Sequence, residues 1–228
     1  MKYYILIVAV FLSIANANAE KKEKTKKNKS KNSKISKATT AADSLKNEDN
    51  KQHLIHINKI MNSTVESEIL SGINYFNNKN IKTQPVWIPR YYQAYGYLKL
   101  STISEKKEFR PTYLASANNI ITGNANEEFA VLSAKFKLMD SKLNKQMINE
   151  VLSSLEYARN TNSENPRVYY LTAAYNNLLI KETPEKVEIA KINVLKAIEK
   201  FKKADYSNPL LPNWGAEEAT LLLENIGR

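Results

Sequence analysis

The sequence predicts an all-α fold of about three antiparallel helix-pair repeats, with a long helix before them and a capping helix after. Three observations predict it. Gly and Pro are scarce, 5 and 7 in 228 residues, and Lys, Asn, Ala and Leu fill long stretches without turn signals. An apolar face recurs three times: Tyr91, Ala94, Tyr95 and Leu98; Phe129, Leu132, Ser133 and Phe136; Val168, Leu171, Thr172 and Tyr175. Each set falls at i, i+3, i+4 and i+7, which is one side of a helix. The sets begin 38 and 39 residues apart, and each holds a small residue five places after its first member: Gly96, Ala134 and Ala173.

Residues 1–19 read as a signal peptide rather than as fold. Lys2 opens an apolar run over residues 3–14, too short to span a bilayer comfortably, and Ala17 and Ala19 give a small-x-small cleavage pattern before Glu20. The chain is therefore expected to be exported, periplasmic or secreted, with no transmembrane segment after cleavage. It has no Cys, so its core alone must hold it together. Residues 20–50 form a Lys-rich tail and linker. Residues 20–37 hold nine Lys and two Glu, so +7 of the chain's net +11 lies there, with Ile35 the sole large apolar residue. Such a stretch cannot bury enough surface to offset the entropy of ordering it, and disorder is expected.

The folded domain is expected over residues 51–228. Leu54, Ile57, Met61, Val65, Ile69, Ile73 and Phe76 recur every three or four residues, predicting one long helix or two collinear ones. Pro85 and Pro89 flank Trp87 at the next helix entry, where the first-turn N–H groups have no helical partner to lose. Partner helices follow around Tyr113, Ala117 and Ile121, around Val151, Leu155 and Ala158, and around Ala190, Val194, Ala197 and Phe201. Asn165 before Pro166, and Thr183 before Pro184, read as N-caps followed by Pro at the first helical position. Residues 213–226 read as a capping helix stopped by Gly227, since a terminal repeat would otherwise leave an apolar face in water.

The order of small and large residues in residues 165–209, from NPRVYYL to the closing Pro209, resembles the packing pattern of a tetratricopeptide helix pair. From about residue 55 to 227 the chain resembles the exported tetratricopeptide-like helical-repeat proteins of the Bacteroidota type. The stretches YLASANNIITGNANEEFAVLSA, NPRVYYL and PLLPNWG carry that resemblance. It implies a superhelix of antiparallel helix pairs and no catalytic centre. The repeats here run 38–39 residues rather than 34, and the first two pairs lack the closing Pro. Tyr170 stands where peptide-clamping repeats place an Asn, so the resemblance does not extend to carboxylate-clamp recognition.

Chemistry has little to work with. His53 and His56 lie at i, i+3 with no third ligand beyond scattered acids such as Glu48 and Asp49, so they read as surface or semi-exposed residues and no metal is expected. With no Cys and no other His, Cys–His and Ser–His–Asp catalysis lack their base. Five Gly form no phosphate loop, and no catalytic residue or cofactor is expected. Glu127 with Glu128, and Glu217 with Glu218, read as first-turn charges favoured by the helix dipole.

Binding is the remaining function class. Groove-facing offsets of the repeat nominate Tyr92, Lys99, Lys137, Tyr169, Asn176 and Asn177 as a partner-binding surface, against the plainer expectation that most Tyr pack between helices with the hydroxyl at the rim. The expected function is a non-catalytic scaffold or adaptor for a protein or peptide. The alternative is an envelope-associated structural or adhesion protein whose Lys-rich tail holds an anionic surface. Nucleic acid is a poor partner for that tail, which lacks Arg and interleaved aromatics.

Overall fold

A computed structural model describes residues 41–226 apart from 79, 80, 82, 84, 140–142, 181 and 182. The expected signal peptide, most of the Lys-rich segment and the expected stop at Gly227 lie outside the described residues. Among those residues there are nine α-helices, one 3-10 turn and no strand. In chain order the helices are α1 (Ala41–Asn62), α2 (Glu66–Phe76), α3 (Ile88–Ile103), α4 (Arg110–Thr122), α5 (Glu127–Leu138), α6 (Lys145–Thr161), α7 (Pro166–Leu178), α8 (Lys186–Lys203) and α9 (Ala216–Asn225). Short connections fold them into pairs: α1 with α2, α3 with α4, α5 with α6, and α7 with α8, while α9 packs on α8. The first helices of the pairs also touch in succession, α1 to α3 to α5 to α7. Ile88, Glu127 and Pro166 open α3, α5 and α7 at equal intervals of 39 residues.

Burial separates two layers. Helices α3, α5 and α7 are buried around much of their circumference, α3 through Ile88, Tyr91, Tyr92, Ala94, Tyr95, Leu98 and Leu100 among others. Their partners bury narrow stripes: Ala117 in α4; Val151, Leu155 and Ala158 in α6; Ala190, Val194, Ala197 and Phe201 in α8. A helix covered on several sides belongs to an inner row, and one with a single apolar stripe to an outer row. Ala134 and Ala173 are fully buried. A Cβ on Gly96 would stand 2.7 Å from Ile73 Cγ1, so the small position there permits close approach to α2.

Four boundaries depart from expectation. Helix α1 begins at Ala41, inside the span expected as linker. Its AADSLKNEDNKQ start is polar yet rich in Ala, Leu, Lys, Glu and Gln, which are good helix formers. Helices α1 and α2 are not collinear but turn back on each other. Val65 N–H donates to Ser63 Oγ (3.0 Å), a local bond that competes with helix continuation. Gly72 seats the hairpin, since a Cβ there would lie 2.7 Å from Ile60 Cγ1 and 2.9 Å from the His56 carbonyl. Helix α8 starts at Lys186, whose N–H donates to the Thr183 carbonyl (2.9 Å), so Thr183 and Pro184 make a turn ahead of the helix. Helix α9 starts at Ala216 rather than at 213, because residues 208–215 are committed elsewhere.

Candidate functional site

The sequence SNPLLPNWG builds an extended segment over residues 208–215. Leu210 N–H donates to Asn208 Oδ1 (3.1 Å), a local Asn turn that starts the segment. Its carbonyls and its Trp are then gripped by the inner helices. Tyr92 Oη on α3 donates to the Leu210 carbonyl (3.1 Å), and Arg167 Nη1 on α7 donates to the Pro212 carbonyl (2.8 Å). Trp214 Nε1 donates to Tyr91 Oη (2.7 Å). Leu210 and Trp214 are buried. Gly215 then turns the chain into α9 with φ 108°, a left-handed conformation that favours glycine, and a Cβ there would lie 2.7 Å from Phe201 Cζ. Glu218 Oε2 accepts from Gly215 N–H (2.9 Å) and fixes the entry.

A buried polar network lies beneath this strap. Arg167 Nη2 and Asn165 Nδ2 (2.8 Å) both donate to Glu128 Oε1, joining the first turns of α5 and α7. Asn165 Oδ1 meanwhile caps α7 by accepting from Arg167 N–H (3.1 Å), as its place before Pro166 predicts. Glu128 Oε2 and Arg167 Nε have no hydrogen-bond partner among the described residues, so the pair carries a desolvation cost that its bonds only partly offset. Lys135 of α5 is buried beside it. Its Nζ sits 3.8 Å from the Trp214 ring centroid, 5.6 Å from that of Tyr95, and 3.9 Å from Glu218 Oε1. Burial pulls this amine down to about 8, with Glu218 opposing and Arg167 assisting the fall.

The six nominated groove residues do not converge on one surface. Tyr92 is buried under Leu210. Lys99 Nζ donates to the carbonyls of Ile60 (3.2 Å) and Met61 (2.7 Å), satisfying the last turn of α1, and burial lowers it to about 8. Lys137 is half-buried and pairs with Glu150 at 2.7 Å, linking α5 to α6. Asn176 is buried and donates to the Thr172 carbonyl (2.8 Å), while Asn177 is half-buried on the same helix.

Tyr169 differs from the other five. Its hydroxyl donates to the Ser163 carbonyl (3.0 Å), and three cations gather around its ring. Lys196 Nζ lies 4.5 Å, Lys200 Nζ 5.2 Å and the Arg159 guanidinium 5.5 Å from the ring centroid. Lys200 pairs with Glu164 at 2.7 Å. Arg159 donates to Thr172 Oγ1 (3.1 Å), and no ion pair with a carboxylate is formed by Arg159 or Lys196 among the described residues.

Two further readings of the sequence change. His53 is buried rather than semi-exposed, joined by a hydrogen bond between its Nδ1 and Tyr75 Oη (2.9 Å), because α2 folds back over α1. His56 stacks on the same Tyr75 ring at 3.8 Å. No group of three or more His, Cys, Asp or Glu able to hold a metal occurs among the described residues. Glu128 and Glu218, read as first-turn charges, do open α5 and α9, yet each also serves an interior cation. Pairing across some 39 residues leaves no local signal in sequence. The strap left one: a Trp between prolines, bounded by Asn and Gly, is an anchor in a segment that cannot be helical.

No described helix is long and apolar enough to cross a membrane. Comparison with known proteins finds no matching family model, no matching curated protein and no matching solved structure.

Proposed function

We propose that this chain is an exported, non-catalytic helical-repeat scaffold of the tetratricopeptide-like kind that binds a protein or peptide partner. The observation that carries the reading is the strap. The inner row of helices holds an extended, proline-containing segment by donating to its carbonyls from Tyr92 and Arg167 and by seating Trp214. Those are the means by which helix-pair arrays take peptides: a row of side-chain donors for a backbone and a pocket for an anchor. Equal 39-residue intervals between the inner helices and the cap formed by α9 support the repeat interpretation. The signal-like residues 1–19 support export.

A second reading rests on the tail, whose +7 over residues 20–37 suits attachment to an anionic envelope surface. One experiment separates the two: a crosslinking capture from the producing cell's envelope with the chain from residue 20 and with a chain from residue 41. The cut falls at 41 because α1 begins there and is docked through Ile57, Ile60 and Lys99. A specific partner held by both versions supports the scaffold. A partner lost with the tail and at high salt supports surface attachment and removes the scaffold reading.

A further inference from the structure

The outer side of α8 carries an unusual mixture. Ile189, Ile192, Lys196 and Lys200 succeed one another at intervals of three or four residues, which places them along one side of the helix. Ile192 and Leu195 are more than half exposed, at 56% and 54%, and Ile189 is also exposed. Aliphatic side chains grouped in water on the last pair of an array are a cost that a partner would relieve. Immediately beyond them lies the cluster in which Lys196, Lys200 and Arg159 crowd the Tyr169 ring from two helices.

Three cations within 5.5 Å of one ring centroid repel each other, and Glu164 supplies the single ion-paired carboxylate there. Glu164 is 78% exposed and bonded to Lys200, and its carboxyl is held below the usual range by that hydrogen bond and by the charges of Lys200 and Lys196. It is an internal example of the group the cluster accepts. Arg159 is positioned by its bond to Thr172, so its remaining donors are oriented. Arg and Tyr beside exposed aliphatic residues is also the composition of binding hot spots.

We infer that the Arg159–Lys196–Lys200 cluster around Tyr169, together with Ile189, Ile192 and Leu195, is a docking surface for an acidic, amphipathic peptide segment of a protein partner. One or more carboxylates of the segment meet the cations, and an aliphatic side chain between them covers Ile192. This rests on the scaffold reading and places the partner on the outer side of the last pair, away from the strap. A bare polyanion would use the cations and leave Ile192 indifferent, so the two chemistries separate by experiment.

The test is fluorescence anisotropy at low salt with the chain from residue 20. The probe is a labelled, end-capped peptide of alternating Glu and Leu, with its Gln-for-Glu version and dextran sulfate as comparators. The surface predicts that Arg159→Glu with Lys196→Glu weakens the Glu–Leu peptide at least tenfold, and that Ile192→Ser weakens it several-fold. It also predicts weak binding of the Gln version and unchanged peptide binding after removal of residues 20–40. Lys51→Glu with Lys107→Glu makes the same change in net charge on other helices and should leave binding intact. Equal weakening by that control, loss with the tail, indifference to Ile192→Ser, or equal binding of the Gln peptide each overturns the proposal. Thermal midpoints near wild type confirm that these exposed substitutions leave the fold in place. Failure here is separable from failure of the scaffold. An envelope partner captured undiminished by Arg159→Glu with Lys196→Glu overturns this surface and leaves the scaffold standing.

Discussion

Trp214 Nε1 donates to Tyr91 Oη at 2.7 Å, tying the final extended segment to the first turn of α3 across 123 residues of chain. Trp214 is 5% exposed and Tyr91 fully buried. Replacing Trp214 by Ala should cost about 3–5 kcal/mol of stability, as for a large aromatic removed from a core. Tyr91→Phe should cost about 1–3 kcal/mol, because it strands the indole N–H without a partner. Urea denaturation of both single variants and of Tyr91→Phe with Trp214→Phe checks the link. A double loss smaller than the sum of its singles is expected for directly bonded residues.

Glu128 and Arg167 form a buried pair with one oxygen and one nitrogen unsatisfied. Glu128→Leu or Arg167→Met alone should destabilise the chain by about 3–5 kcal/mol, since each leaves a buried charge uncompensated. The double variant should be more stable than either single. Denaturant midpoints showing simple addition of the two losses would contradict a direct pair.

Burial holds Lys135 and Lys99 at about 8, against the ordinary lysine value of 10.5. Between those values the unfolded chain binds more protons than the folded one, so stability rises with pH across that window. Tyr91 and Tyr95, raised above 10.0 by burial, act in the opposite sense at higher pH, when the unfolded chain deprotonates first. Stability should therefore climb by on the order of 1–3 kcal/mol from about pH 7.5 to about pH 9.5 and then fall. Lys135→Met should flatten the climb. Denaturation midpoints that decline throughout this range would count against a charged, buried Lys135.

Gly72→Ala and Gly215→Ala should both destabilise, for different reasons. At Gly72 the new Cβ meets the His56 backbone carbonyl at 2.9 Å and pushes α1 from α2. At Gly215 it meets Phe201 and also requires φ 108° from a residue with a side chain. About 1–3 kcal/mol each is expected from steric and backbone strain. Hydrogen exchange should place the first loss mainly in α1 and the second mainly around α9.

The row of inner helices was legible because its faces repeat locally. Val168 and Leu171, like Tyr91 and Leu98, are buried as their spacing demands, and Asn165 caps the helix it precedes. The candidate groove was not legible because its occupant lies far along the chain. Tyr92 sits at a groove-facing offset, yet the residue it meets is Leu210, 118 positions away. The same reason hid Arg167 and Lys135, whose partners arise from the assembled array. His53 was misread because only the turn at residues 63–65 decides whether Tyr75 comes back to cover it. Tyr169 alone among the six nominated residues leads outward, to cations supplied by α6 and α8.

The strap also sets an order of events in time. Most helix contacts here join neighbours along the chain and can form as soon as two helices have been made. The bonds from Tyr91 and Tyr92 wait for residues 210–214, near the end of synthesis. Until those residues emerge, the inner row has helices but no fastening between its first pair and its last, and its buried Arg167 lacks the Pro212 carbonyl. A chain of this design stays pliable while it is being made or threaded through a pore, and becomes rigid only on completion. Truncation a few residues before Trp214 should thus yield a helical but poorly cooperative protein, open to proteases along its whole inner row.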